Sequence, residues 1–351
     1  FFLIIIIGLL SYSIFMPVSA CIGKLGISNF EDNTKYGTVC LNSRDSFDLS
    51  SASKPEIVIP ANLYLPKNQN KKVPLLIMSH GAGGIFNFHY DYKDIFLEEG
   101  YAVLIIDHFF PRGISADFTF EKVTESMMMN DVLNAIKIMR THPDLDGRVG
   151  YIGWSKGGIG TILLKHKHVH EHYFKEMLPV NFYIGIYTYC GFESKEIEFS
   201  DVPLLLISGK QDKITPASYC RNFAKNVKKN TEYHELKYAN HSFDNYTFYF
   251  GGYLPWQPYL KSNNNECRLT INEDLITVNV NDTHDLATYE SRKKFLAACT
   301  DKGAAVSYDK QSSKITKEHS LLFTSVVVKS PSESIAATPF FSIVSKPFSL
   351  M

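Results

Sequence analysis

The sequence predicts a protein of the α/β class, with a mostly parallel central sheet and helices on both of its faces. Short continuous apolar runs alternate along the chain with longer segments whose apolar residues recur at helical spacing. Continuous apolar runs are typical of parallel strands that are buried on both faces. Glycine-rich turns follow two of these runs, at "HGAGG" and "GWSKGG". No linker interrupts the alternation, which predicts a single domain over residues 21–304.

The first half of the chain supplies four predicted strands and two predicted helices. Residues 56–66 predict an edge strand, because the segment contains Pro60 and ends at Pro66. The other elements are buried strands at residues 73–80, 101–109 and 147–155, and helices at residues 92–100 and 123–140.

The second half continues the alternation and then departs from it. A helix is expected to begin in "KGGIGTILLKHK". Further strands are expected at residues 182–190, 202–209 and 231–239, and further helices at about 216–228 and within 283–304. Residues 251–282 lack periodicity and are interpreted as an insertion. Residues 305–351 are rich in Ser, Lys and Val, and whether this tail packs, adds a strand or is disordered stays open.

The first 20 residues carry no charge and end in Val18-Ser19-Ala20, which is typical of a signal peptide at its cleavage site. The run is also long enough for an N-terminal anchor. We therefore expect an exported protein, whether periplasmic, secreted or membrane-anchored. "VSAC" resembles a bacterial lipobox, which would place a lipid on Cys21 and attach the chain to a membrane.

The charge balance favours no nucleic-acid partner, because Lys plus Arg equals Asp plus Glu at 36 each. The sequence leaves the oligomeric state open. Six cysteines fit an oxidising compartment, and pairing of near neighbours suggests 21–40, 190–220 and 267–299. The alternatives are unpaired buried thiols, or five remaining cysteines if Cys21 carries a lipid.

"GWSKGG" places Ser155 where a predicted strand turns into a helix, with glycines at the positions that a tight turn needs. This strand–turn–helix context is typical of a nucleophile elbow. Such a turn exposes the serine hydroxyl and directs the following backbone amide, that of Lys156, at the same point. The pattern alone is weak, and its position in the chain makes it informative.

"HGAGG" directly follows a buried strand and supplies backbone N–H groups for a developing oxyanion. We assign the second oxyanion donor to the amide of Ala82, with Gly83 as the alternative. The competing interpretation is a plain glycine turn. His80 borders this loop and is expected to hold its backbone.

A serine nucleophile needs a base, and the base needs an acid that orients it. Asp212 and His241 follow two later strands, so the chain order is serine, acid, histidine. Because the carboxyl ends of parallel strands meet at one edge of a sheet, these side chains are expected to converge. Asp244 is expected to shape the histidine loop, and Asp201 lies at the wrong end of its strand.

The motifs "SHGAGG", "IDHFFPRG", "GYIGWSKGG", "LLLISGKQDKITP" and "NHSFD" together resemble the α/β-hydrolase superfamily, and within it the dienelactone hydrolase family. The resemblance covers roughly residues 50–304. It implies a serine hydrolase that cleaves ester or lactone bonds of a small molecule through an acyl-enzyme, with Ser155, His241 and Asp212 as triad and no cofactor. The alternatives are a peptidase or amidase of the same fold, or a non-catalytic exported binding protein.

The sequence departs from the family at the nucleophile. Enzymes that open dienelactones use a cysteine, influenced by a glutamate in the oxyanion loop, whereas this chain has Ser155 and Gly81 at those positions. The departure favours ordinary serine esterase chemistry over dienelactone as substrate.

Four residues are candidates for substrate contact: Gly81, Gly83, Arg112 and Trp154. In the family an arginine near position 112 can hold a substrate carboxylate, and a guanidinium is suited to that role. The alternative is a structural ion pair of Arg112 with Asp107 or a neighbouring loop.

Four histidines recur in "KHKHVHEH", at positions 166, 168, 170 and 172. On one helix they would form two i,i+4 pairs, a spacing that can bind a transition metal. The alternative is a solvated surface segment, and the catalysis inferred above needs no metal.

Overall fold

The computed structural model describes most of the chain between Cys21 and Lys329. The described residues are 21, 23–30, 36–49, 56–67, 70–175, 177–192, 199–227, 230–261, 267–271, 275, 277–279 and 285–329. The expected signal peptide or anchor at residues 1–20 lies outside them, as do residues 330–351 of the tail. Among the helices in the described ranges, none combines the length and the apolar character that crossing a bilayer requires.

Eight strands form the central sheet. They are β1 (Gly37–Arg44), β2 (Glu56–Tyr64), β3 (Val73–Ser79), β4 (Ala102–Ile106), β5 (Leu145–Trp154), β6 (Phe182–Ile186), β7 (Leu204–Gly209) and β8 (Thr231–Leu236). Their order across the sheet is β1-β2-β4-β3-β5-β6-β7-β8. β3 to β8 pair in parallel, whereas β1, β2 and β4 pair antiparallel in succession. The predicted mostly parallel sheet is therefore confirmed.

Helices cover both faces of the sheet. They are α1 (Asn87–Glu98), α2 (Glu125–Met139), α3 (Ile159–Lys165), α4 (Lys167–Phe174), α5 (Ala217–Val227), α6 (Tyr289–Cys299) and α7 (Lys310–Lys329). One core cluster joins alternate residues of β3 to α2, α3 and α5, and a second joins the intervening residues of β3 to α1 and α7. Successive strand residues point to opposite faces, so burial on both faces explains the continuous apolar runs.

The edge assignment of residues 56–66 is wrong. β2 lies between β1 and β4, and β1 forms the edge of the sheet. Pro60 is accommodated because it lies opposite Cys40 of β1, while pairing with β4 begins only at Ala61. Proline has no N–H to donate, so it fits beside one neighbouring strand more readily than between two.

The insertion and the first part of the tail contain regular structure. Residues 251–282 contribute β9 (Gly252–Leu260), β10 (Leu269–Ile271) and β11 (Thr277–Asn279). β9 pairs antiparallel with β12 (Thr300–Val306) in a small separate sheet, so the expected domain end at residue 304 falls inside a strand. α7 follows β12 and buries Phe323 in the core, so the described part of the tail packs.

Three disulfides join Cys21 to Cys40, Cys190 to Cys220 and Cys267 to Cys299, which confirms the predicted near-neighbour pairing. The Cys21 sulfur is occupied by its bond to Cys40 and cannot also carry a thioether-linked lipid. The disulfide therefore contradicts lipid attachment at Cys21.

Candidate active site

Ser155 occupies a strained turn directly after β5. Its backbone φ angle is 49°, in the left-handed region that residues other than glycine rarely adopt. The turn also brings backbones close together, because a Cβ atom at Gly157 would lie 2.4 Å from the Ser79 carbonyl oxygen. Only a glycine fits at that position. The local geometry is that of a strand–turn–helix elbow.

The structure brings Ser155, His241 and Asp212 into one chain of hydrogen bonds. Ser155 Oγ lies 2.9 Å from His241 Nε2, and His241 Nδ1 lies 2.7 Å from Asp212 Oδ2. The residues come from the loops that follow β5, β7 and β8, whose carboxyl ends share one edge of the sheet. The predicted convergence is therefore present in the fold.

The Asp212 carboxylate is held from several sides. Its Oδ1 accepts hydrogen bonds from the backbone amides of Ile214 at 2.8 Å and Thr215 at 3.0 Å. The Thr215 hydroxyl lies 2.8 Å from Asp212 Oδ2 and 2.8 Å from the Tyr187 carbonyl oxygen. Sequence reasoning missed Thr215, although its place three residues after Asp212 in "QDKITP" is typical of a side chain that closes a turn.

The glycine loop "HGAGG" lies against the serine elbow. A Cβ atom at Gly81 would be 3.1 Å from Ser155 Cβ, so a larger residue would crowd the serine. The Ala82 carbonyl oxygen accepts a hydrogen bond from the Asp117 amide at 2.8 Å. This places the Ala82 amide, the predicted oxyanion donor, on a loop whose backbone is anchored to a second segment.

Asp117 also binds the Lys156 side chain, with 2.6 Å between Oδ2 and Nζ. The pair is almost fully buried, at 0% and 1% side-chain exposure. Burial raises the pKa of the Asp117 carboxyl, but Lys156 and the backbone amides of Val123 and Lys122 together lower the pKa overall. Burial lowers the pKa of Lys156, against the opposing effect of Asp117. Asp117 thus links both predicted oxyanion segments, and sequence reasoning missed it.

Asp244, the alternative acid, is engaged elsewhere. Its carboxylate accepts hydrogen bonds from the hydroxyl groups of Tyr92 and Tyr187 and from the Trp154 indole, at 2.9, 2.7 and 3.0 Å. The carboxyl is buried, and burial raises its pKa. These contacts tie the histidine loop to the residue before Ser155. Asp244 therefore shapes the loop, as expected.

Arg112 does not face the pocket, and its assignment to substrate binding is wrong. Its guanidinium, 6% exposed, forms ion pairs with Asp45 at 2.8 Å and Asp131 at 2.9 Å. It also donates a hydrogen bond to the His108 carbonyl oxygen. The alternative of a structural ion pair is correct, although Asp107 is not the partner.

A second serine–histidine–aspartate chain lies behind the glycine loop. Ser79 Oγ is 2.6 Å from His108 Nε2, and His108 Nδ1 is 2.8 Å from Asp131 Oδ2. The residues are 0%, 0% and 2% exposed. His80 Nδ1 lies 2.8 Å from the Gly81 carbonyl oxygen and its Nε2 accepts from the His108 amide. His80 therefore holds the backbone, as expected.

An apolar pocket opens above Ser155. Gly81, Gly83 and Trp154, three of the four predicted contact residues, line it together with Ser155 and His241. The remaining wall is mainly aromatic and aliphatic, with contributions from Phe86, Phe118, Phe120, Ile214, Phe248 and Leu254.

The histidine run is divided between two environments. α3 ends at Lys165 and α4 begins at Lys167, so His166 lies at a break between the two helices. His166 is buried, and burial lowers its pKa to about 4. His168 and His172 are exposed on α4. The run therefore does not present two equivalent i,i+4 pairs.

The strand order and the serine elbow define an α/β hydrolase. A model of the dienelactone hydrolase family matches residues 59–251, which is more than half of the chain. The chain belongs to the dienelactone hydrolase family, as the resemblance predicted, and is a hydrolase that acts on ester bonds. No curated protein matches the sequence significantly.

Several solved structures are similar to this chain. A protein from Klebsiella pneumoniae described as a dienelactone hydrolase is 13% identical, with 82% of this chain and 98% of that chain covered and a TM-score of 0.48. Est1E from Butyrivibrio proteoclasticus, with ferulic acid bound, is 18% identical over 53% and 88%, with a TM-score of 0.41. Dienelactone hydrolase from Anabaena variabilis is 15% identical over 57% and 88%, with a TM-score of 0.39. The fold assignment rests on the strand order of this chain.

Proposed function

We propose that the protein is a serine hydrolase that cleaves carboxylic ester or lactone bonds through an acyl-enzyme. The observation that carries the proposal is the hydrogen-bond chain Ser155–His241–Asp212 at the base of an apolar pocket. A serine hydroxyl is a weak nucleophile at neutral pH, and a hydrogen-bonded imidazole can take its proton.

The proposed reaction begins when Ser155 Oγ attacks the ester carbonyl carbon and His241 Nε2 takes the hydroxyl proton. Asp212 holds Nδ1–H, which fixes the tautomer and stabilises the imidazolium. The imidazolium then protonates the leaving alcohol, which departs and leaves Ser155 acylated. Water, deprotonated by His241, attacks the acyl-enzyme, and the acid is released as the serine recovers its proton.

The tetrahedral intermediates carry a negative oxygen that needs preorganised donors. The backbone amides of Ala82 and Lys156 are the proposed donors, on the two segments that meet at Ser155. The Asp117 contacts to the Ala82 carbonyl and the Lys156 ammonium support this arrangement, because they fix both segments relative to each other.

The pocket favours an ester with an apolar or aromatic group. Its wall carries aromatic side chains such as Phe118 and Phe120, while Arg112 is held in ion pairs away from the pocket. We therefore propose a small, uncharged ester or lactone as substrate class. The three disulfides fit an oxidising compartment, which supports the proposal that the protein is exported.

The test is turnover of p-nitrophenyl esters of increasing acyl length by the wild-type protein and by Ser155→Ala. Wild type should release p-nitrophenol in a burst followed by a slower steady phase, because acylation releases p-nitrophenol before a slower deacylation step. Ser155→Ala should lose both phases. Ser115→Ala, which changes an exposed serine beside the glycine loop, is the control and should keep both. Turnover by Ser155→Ala at the wild-type rate would refute the proposal.

A further inference from the structure

Two histidines and a carboxylate converge between α7 and β8, the last strand of the central sheet. Glu232 and His234 are two residues apart on β8, so their side chains lie on the same face of the strand. His319 reaches the same point from α7. One ligand atom from each residue lies within 4.8 Å of the other two.

We propose that Glu232, His234 and His319 bind a divalent transition-metal ion of the Zn²⁺ type, and that this ion fastens α7 to the edge of the sheet. The distances are short: His234 Nε2 lies 2.5 Å from Glu232 Oε1 and 3.0 Å from His319 Nδ1. The two imidazole rings meet with their centroids 4.0 Å apart.

Hydrogen bonding alone leaves one of these contacts unsatisfied. An imidazole nitrogen offers either one proton or one lone pair, and an ionised carboxylate only accepts. If His234 Nε2 carries a proton and donates it to Glu232, it has no second proton for His319. If the same atom is unprotonated, it can accept a hydrogen bond from His319 Nδ1, but it then has no proton to donate to the Glu232 carboxylate. A cation at the centre would bind all three lone pairs at once.

The ligand set indicates which ion fits. Two imidazoles and one carboxylate suit Zn²⁺ and its neighbours in the first transition row better than Ca²⁺ or Mg²⁺. Tetrahedral bonds of about 2.0–2.1 Å place ligand atoms about 3.3 Å apart, so the contacts of His234 with Glu232 and His319, at 2.5 and 3.0 Å, need to open only slightly. Three protein ligands would leave the fourth position to water.

The site is accessible from solvent. The side chains of His234 and Glu232 are 24% and 28% exposed, so an ion can enter without unfolding. Lys317, two residues before His319 on α7, is paired with Asp91 on α1.

The inferred ion would act on the part of the tail that packs. α7 is attached to the sheet through apolar contacts such as that of Phe323. A metal bridge between His319 and the strand would add a second attachment four residues earlier on the same helix. Because the ion binds the folded state, it should raise the melting temperature.

The test is a calorimetric and thermal-melting titration of the full chain with Zn²⁺. Wild type should bind one ion with a saturable isotherm, and saturation should raise Tm by about 5 °C or more. His319→Ala should abolish the Tm shift and weaken binding by more than the roughly 10-fold that loss of a supporting residue costs. Glu232→Gln, which preserves shape, provides the same test if His319→Ala fails to fold.

The matched control is His172→Ala, which removes an exposed histidine of the run on α4. This variant should bind Zn²⁺ as wild type does, and Zn²⁺ should raise its Tm by the same amount. Absence of saturable Zn²⁺ binding by wild type would overturn the proposal. Binding that survives in folded His319→Ala or Glu232→Gln, or that is lost in His172→Ala, would also overturn it.

Discussion

Two serine–histidine–aspartate chains lie beside the same glycine loop, and their hydrogen-bond distances are similar. We call Ser155, His241 and Asp212, which lie at the pocket, the open chain; its distances are 2.9 Å for Ser155–His241 and 2.7 Å for His241–Asp212. We call the buried residues Ser79, His108 and Asp131 the closed chain; its distances are 2.6 Å for Ser79–His108 and 2.8 Å for His108–Asp131. Hydrogen-bond geometry therefore does not distinguish a candidate catalytic site from a structural network.

The surroundings distinguish the two chains. Ser155 adopts a left-handed φ at an elbow and lines a pocket beside backbone amides. Ser79 ends the extended strand β3 and is fully buried. The aspartates differ as well, because Asp131 is ion-paired with Arg112 whereas Asp212 accepts backbone amides. We expect access and preorganised donors to make the open chain reactive and the closed chain a structural support.

The largest expected effect comes from Asp212→Asn. The amide would favour the wrong tautomer of His241, so kcat should fall by about 10⁴-fold. Asp212→Asn should change the free energy of unfolding much less than Asp131→Asn, the corresponding variant of the closed chain. Steady-state kinetics with p-nitrophenyl acetate and circular dichroism measure the two effects. A loss of kcat below 10-fold would contradict the role assigned to Asp212.

The counterpart in the closed chain is Asp131→Asn. This change leaves the buried Arg112 guanidinium with Asp45 as its remaining ion-pair partner, and breaking a buried ion pair costs about 3–5 kcal/mol. Urea denaturation should show that loss of unfolding free energy, while kcat at a temperature where the variant is folded stays within about 10-fold. An Asp131→Asn variant that is as stable as wild type but inactive would contradict the structural role assigned to the closed chain.

A smaller effect is expected from Asp117→Asn, which acts on the support of the open chain. Loss of an oxyanion donor costs about 10²–10³ in kcat, and misplacing one should cost part of that, on the order of 10-fold. KM should change little, because the donors act mainly in the transition state. Lys156→Met is the matched variant, since it removes the ammonium and keeps the amide. An effect confined to KM would contradict a positioning role for Asp117.

The smallest expected effect concerns buried histidines beside each chain. Burial lowers the pKa of His89, which lines the open pocket, to about 3. Burial and His108 also lower the pKa of His80 well below its ordinary value, beside the closed chain. In the unfolded chain these histidines bind protons as the pH falls through about 6.5, whereas in the folded protein they stay neutral. Their contribution to the free energy of unfolding is therefore complete above about pH 6.5 and is lost progressively as the pH falls toward about 3.

The corresponding measurement is the free energy of unfolding between pH 7 and pH 5. We expect a loss of about 1–2 kcal/mol for each such histidine. His89→Gln should reduce the slope, because glutamine does not titrate. A slope that is unchanged in His89→Gln would show that this histidine contributes nothing to the pH dependence.

The centre of the fold was predictable because its strands are buried on both faces. The runs that became β3, β4, β6 and β7 are apolar at nearly every position, which left little ambiguity about their type. β1 was missed because "GTVCLNSR" has only three consecutive apolar residues, fewer than the run of four or more that indicates a buried strand, and no polar–apolar alternation. α7 was missed because Ser, Thr and Lys interrupt its apolar positions, and only packing of residues such as Phe323 stabilises it.

The candidate site was predictable where it follows from chain order. Ser155, Asp212 and His241 each come directly after a strand, and parallel strands end at one edge. Contacts between residues that are far apart in the sequence leave no comparable pattern in the local sequence. Asp117 meets Lys156 across 39 residues, and Asp131 meets Ser43 across 88. The ion pairs of Arg112 likewise depend on Asp45 and Asp131, which no local pattern connects.

The most direct test of the central claim is which serine a fluorophosphonate probe labels. The probe should modify one residue per chain, and mass spectrometry of the digested protein should place it on Ser155. Ser79→Ala should be labelled at the wild-type rate, provided that it is folded, whereas Ser155→Ala should not be labelled. Labelling of Ser79, or undiminished labelling of Ser155→Ala, would contradict the account.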